Sequence, residues 1–270
     1  MIMISTINMI LMVTCVLISI VALAVPYIMI NRRSGKLETG LPGAVGYGLL
    51  GYIWQYIIYM FLGMYLMRMP VFQNMDRSVA LVAANLLLTL VSTVCTAVSL
   101  YWGIYLTNQK QLSVYRSAGV GIGFSLGKIG IDLIYPYIYS LYFSVQINNG
   151  TYAAAEDIKE SIVNTTPLSL ISGTYKCLLM FVIIFVIALI MGKYYISKNK
   201  KMAWFSVLVI YEVIMLLNVA LKYMFGDASD IAMIIVFTII AAAGVLILCN
   251  WFKNDEVEVN PLAILNRMKK

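Results

Sequence analysis

Seven times in 270 residues the chain runs for twenty or more residues with almost no charge. A helix rises about 1.5 Å per residue, so roughly 20 apolar residues cross the hydrocarbon core of a bilayer. The runs cover about 3–30, 41–67, 78–107, 119–143, 170–193, 203–223 and 231–252. With 62% hydrophobic and 11% charged residues, the chain departs far from the roughly 45–50% and 25% of soluble domains. One soluble core cannot hide such an excess. The pattern predicts an all-α polytopic membrane bundle of about seven spanning helices. It forms a single domain over 1–252, followed by a cytoplasmic tail over 253–270.

Lysine and arginine set the expected orientation, because cytoplasmic loops retain them. With the N-terminus outside, Arg32, Arg33, Lys36, Lys110, Arg116 and Lys193 all fall inside. So do Lys198, Lys200, Lys201, Lys253, Arg267, Lys269 and Lys270, which makes 13 of the 19 basic residues. The outer side keeps Arg68, Arg77, Lys159 and Lys222. The net charge of +7 is therefore read as a topology signal. No nucleic-acid partner is expected; the bilayer itself is the first partner. The first run has no basic residue before it and two arginines after it, the reverse of a secretory signal, so it is read as a retained helix.

Loops are short except the outer connection over about 144–167. It turns at Asn148-Asn149-Gly150, and Ala153 to Glu160 are expected to form a short surface helix. The tail turns acidic at Asp255, Glu256 and Glu258, and residues 261–270 read as a weak amphipathic segment at the inner surface.

The chain has no histidine, which excludes Ser-His-Asp and Cys-His nucleophiles and His-ligated zinc or haem. Cys15, Cys95, Cys177 and Cys249 lie singly within apolar runs. They read as buried small apolar residues rather than a disulfide framework or metal cluster. No metal and no cofactor is expected.

Ionisable groups at membrane depth are costly, so each is a functional candidate. Lys128 and Asp132 lie four apart near the middle of the fourth span, hence on one face. Glu212 lies mid-span in the sixth, and Lys176 lies near the outer end of the fifth, within snorkelling reach of the interface. Paired charges that fix helix register and a substrate, ion or proton site are both open readings. Gln55, Asn85 and Asn218 are expected to act as polar glue between helices. Tyr52, Tyr56 and Tyr59 share a face of the second span that could border a cavity. Gly119, Gly123 and Gly127 form a GxxxGxxxG face suited to close helix packing, and Pro136 is expected to kink the same helix.

Two stretches carry a resemblance. Ala44-Val45-Gly46-Tyr47-Gly48 leads to Trp54-Gln55, and Leu126-Gly127-Lys128-Ile129-Gly130-Ile131-Asp132 follows two spans later. Both resemble the YhfC family of bacterial multi-pass membrane proteins, intramembrane proteases related to the CAAX-processing and bacteriocin-processing group. The second stretch is similar to that family's Leu-Gly-His-Gly-Gly-Ile-Glu. Lys128 then stands in the histidine position and Asp132 in the glutamate position. The family's Glu-Glu-x-x-Arg maps near 95–101, where Thr96 and Ala97 replace the acids and Leu100 replaces the arginine. A carboxylate is needed to activate water in such chemistry, and the third span has none.

The resemblance therefore implies a bacterial plasma-membrane protein that has lost catalysis. Such a protein would serve as a binding or assembly subunit beside another membrane protein or a second copy of itself. Three alternatives stay open. One is a small-molecule or ion carrier, or a transport-complex subunit, using the Lys128–Asp132–Glu212 region. The others are an active intramembrane peptidase with atypical residues and a seven-helix receptor.

Overall fold

The computed structural model describes residues 4–34, 40–66, 68–108, 113–151, 156–197, 199–225 and 229–258. Ten α-helices follow in order among them: α1 (Thr6–Ser34), α2 (Leu41–Leu66), α3 (Pro70–Gln73), α4 (Arg77–Thr107) and α5 (Val114–Ile129). Then come α6 (Tyr135–Asn148), α7 (Glu156–Val163), α8 (Pro167–Ile196), α9 (Lys200–Phe225) and α10 (Ser229–Glu258). Seven spans among the described residues are long and apolar enough to cross a membrane, with α5 and α6 joined into one span of 35 residues. The protein is a multi-pass helical membrane protein. Its helices run a few residues beyond the apolar stretches, because capped polar turns extend them. Thr166 and Ser169 form a capping box ahead of α8, with Pro167 at its first position, and the Ser113 hydroxyl accepts from the Tyr115 amide at the start of α5.

Two spans form the centre. In α5–α6 and in α8, 67% of the most apolar window is buried, against 17–33% in the other five spans. Close approach to α5 is possible because it lacks side chains where its neighbours press. Gly119, Gly123 and Gly127 face α2, and a Cβ on Gly123 would collide with the Val45 carbonyl. Gly48 returns the contact: its missing Cβ leaves room for the Val120 carbonyl. On another face of α5, Gly121 lies against Ala188 of α8. Small residues let backbones meet where hydrophobic exclusion gives little drive inside lipid. The main core then draws on six helices, with Tyr52, Leu100, Phe124, Ile184, Val207 and Phe237 each buried in it.

Pro136 interrupts the central span in a particular way. A proline ring in a continuous α-helix runs into the carbonyl four residues earlier, here that of Asp132. The chain widens instead into a π turn over Gly130–Ile134, and the Tyr135 amide donates to the Gly130 carbonyl. The expected kink is thus a π bulge placed around Asp132.

The surface helix expected after Asn149 is present as α7, and Gly150 at φ 72° ends α6. The acidic residues Asp255, Glu256 and Glu258 belong to α10, whereas residues 261–270, expected to be amphipathic, lie outside the described residues. Of the four cysteines expected to be buried, Cys15 is buried, Cys95 and Cys177 are half-buried, and Cys249 is exposed.

Candidate functional site

Asp132 is gripped from two helices. The Lys128 ammonium, one turn earlier, donates to its Oδ2 at 2.7 Å, and the Tyr52 hydroxyl of α2 donates to its Oδ1 at 2.9 Å. Phe124 meets the Tyr52 ring edge-to-face at 5.3 Å and holds it in place. Tyr56 stacks beside Tyr52, whereas Tyr59 is exposed, so the tyrosine face contributes two rings rather than three. The Lys128 and Asp132 side chains remain 22% and 33% exposed, so the protein does not seal the pair off. π bulges occur often at functional sites, and this one carries Asp132 to the wall of a cavity.

That cavity, about 340 Å³, is a partly open cleft lined by α5, the π turn, α8, α9 and α10. Its polar wall consists of Lys128, Asp132, Lys176, Asn218, Lys222 and Asp230. It reaches from the middle of the central span to the ends of α9 and α10, where Lys222 and Asp230 stand. Lys176 reaches toward the start of α10. Its ammonium donates to Asp230 Oδ1 at 2.6 Å, so two of the three lysines are neutralised by partners. Asp230 has no signal in sequence beyond opening α10, and its partner lies 54 residues away.

Glu212 stands apart from this group. Met215, Asn218 and Lys222 follow one face of α9, and at 3.6 residues per turn Glu212 lies about 90° from the middle of that face and is not among the cavity's lining residues. It is half-buried, with Oε1 buried and unpartnered. The expected Lys128–Asp132–Glu212 grouping is therefore corrected: depth along a helix is shared, direction is not. Asn85 is corrected as well. It sits on the exposed side of α4 and glues no neighbour among the described residues.

Gln55 does join two helices. Its Nε2 donates to Ser92 Oγ at 2.7 Å, and Thr96 Oγ1 donates to Gln55 Oε1 at 2.9 Å. Thr96, Ala97 and Leu100 are all 0% exposed. Tyr52 and Gln55 lie three residues apart on α2, so one helix holds Asp132 with one side chain and Thr96 with the other. Interhelical hydrogen bonds in membranes contribute on the order of 1 kcal/mol. Gln55→Leu should accordingly lower the unfolding free energy by about 1 kcal/mol, measured by denaturant titration in detergent micelles. An unchanged midpoint would show the network to be idle.

Among the described residues no three His, Cys, Asp or Glu side chains gather in a metal-holding group. The chain matches no protein-family model, no curated protein and no solved structure.

Proposed function

We propose that this protein is a catalytically inactive relative of the YhfC-type intramembrane proteases, acting as a binding or assembly subunit in a bacterial plasma membrane. Its N-terminus lies outside and its C-terminal end inside, following the basic residues. One observation carries the reading. The positions that correspond to the family's paired acids and arginine are Thr96, Ala97 and Leu100, fully buried and closed to water, with Thr96 committed to Gln55. Hydrolysis of the glutamic or metal-assisted kind needs a carboxylate or metal-bound water at the scissile bond, and nothing in that buried seam delivers either. Asp132 is held by an ion pair to Lys128 and a hydrogen bond from Tyr52, and a paired ammonium lowers the basicity of a carboxylate.

The assembly half of the proposal has its own test. The full chain, epitope-tagged at low copy in bacterial membranes, is extracted in mild detergent and its mass measured by light scattering. The expected result is a defined particle larger than one chain, either a homo-oligomer or a stoichiometric heteromer, that persists in the Asp132→Asn variant. A particle containing one chain alone would contradict it.

The carrier reading retains one observation in its favour: charged side chains around a cavity at membrane depth. It predicts solute flux across proteoliposomes that falls when the cavity lysines are replaced.

A further inference from the structure

Charged side chains within membrane-spanning helices persist where they face water or a ligand and find partners. The cavity between α5, α8, α9 and α10 meets that description with an uneven count. Three ammonium groups, on Lys128, Lys176 and Lys222, share it with two carboxylates, on Asp132 and Asp230. Two ion pairs account for four of these charges, at 2.7 Å and 2.6 Å. Lys222 is left over: it lines the cavity and has no carboxylate partner among the described residues. Among the described residues the cavity wall thus carries one uncompensated positive charge near the α9–α10 end, on the exposed Lys222, with the Asn218 amide on the same helix face as a further hydrogen-bonding group.

The rest of the wall is soft and apolar. Met180, Met215, Met233 and Phe237 line it, and methionine thioethers adapt to irregular or flexible apolar bodies. A volume of about 340 Å³ falls within the roughly 300–1,000 Å³ typical of small-molecule sites. We infer that this cavity is a binding site for a singly charged organic anion with a short apolar body, its carboxylate or phosphate at Lys222 and its alkyl part against Met180, Met215 and Met233. A dianion would bring a second charge toward Asp132 and Asp230, and an alkylammonium would meet the uncompensated Lys222. This inference goes beyond the assembly role and does not depend on it, since a ligand can fill the cavity in a monomer or a complex.

The anion has two possible sources, a free carboxylate or a lipid headgroup with a single negative charge. The test uses the full-length chain in phosphatidylcholine nanodiscs, titrated calorimetrically with octanoate, then octanol and octylammonium. Saturable one-to-one binding of octanoate alone is expected. Lys222→Gln, a change at an exposed position near a helix end, should weaken it roughly tenfold to hundredfold, the range for a lost hydrogen bond to a charged group. Met233→Trp, which fills the apolar half, should abolish it. Octanol binding as well as octanoate, or Lys222→Gln binding unchanged, would overturn the inference. Nanodiscs containing phosphatidylglycerol separate the sources. Competition with octanoate assigns the site to a lipid headgroup, absence of competition assigns it to a free carboxylate, and either result requires the anion site.

Discussion

Gly123→Val should leave almost no folded protein. The added Cβ enters the space of the Val45 carbonyl and lies against the Val45 Cα, so the obstruction is backbone rather than a movable side chain. Helices α2 and α5 would have to separate, which also pulls Gly119 away from Ala44 and Gly127 away from Tyr52. Overpacking of an adaptable core costs about 1–3 kcal/mol; with a rigid partner the loss should reach about 3 kcal/mol or more. Gly46→Ala makes the matched control, because a Cβ there meets nothing within 4 Å. Alanine also favours a helix by about 1 kcal/mol over glycine. Thermal scans of detergent-purified protein distinguish the two variants. Comparable unfolding temperatures for Gly123→Val and wild type would show that the α2–α5 seam is looser than its geometry implies.

The second large effect lies in the Lys128–Asp132 pair. Removing one partner of a buried ion pair typically costs about 3–5 kcal/mol, because the other charge stays desolvated. Here the two side chains are 22% and 33% exposed on an open cavity, so the protein desolvates the surviving charge less completely and the loss is smaller. Lys128→Met and Asp132→Leu should each cost about 2 kcal/mol. Among the described residues, Asp132 without lysine keeps only the Tyr52 hydroxyl, and Lys128 without aspartate keeps only the Tyr52 ring, 5.8 Å from its ammonium. The double variant should cost less than either single change, since replacing both charges with apolar groups removes the desolvation penalty altogether. A double-mutant cycle by denaturant titration reads the coupling directly. Additive losses would show the two charges to be energetically independent despite their contact.

Much of the architecture is legible from the order of residues because lipid imposes a simple rule. Apolar runs must be helices, and their number, approximate ends and polar caps can be read without knowing their neighbours. The glycine face of α5 is equally local: three residues spaced by four define a seam whatever lies opposite. The candidate site is less legible. Lys128 and Asp132 are neighbours by helix periodicity, but the Tyr52 hydroxyl reaches Asp132 from 80 residues away and Asp230 reaches Lys176 from 54. Such pairs exist only once α2 has docked on α5 and α10 on α8.

Glu212 teaches a narrower lesson. Its depth matches that of Asp132, which invites a common site, yet the face shared by Met215, Asn218 and Lys222 already points elsewhere. Pro136 likewise signals an interruption, but not that the chain would absorb it in a π turn around Asp132. The choice depends on how α5 and α6 pack as one continuous span.

The central claim, an intramembrane protease frame without its chemistry, is tested most directly by cleavage. The full-length chain is reconstituted in proteoliposomes with quenched-fluorescent transmembrane peptides, divalent metal ions being supplied in the buffer. The wild-type protein should release no more fluorescence than empty liposomes, and Asp132→Asn should give the same trace. Time-dependent cleavage by the wild-type chain that disappears in Asp132→Asn would contradict the claim.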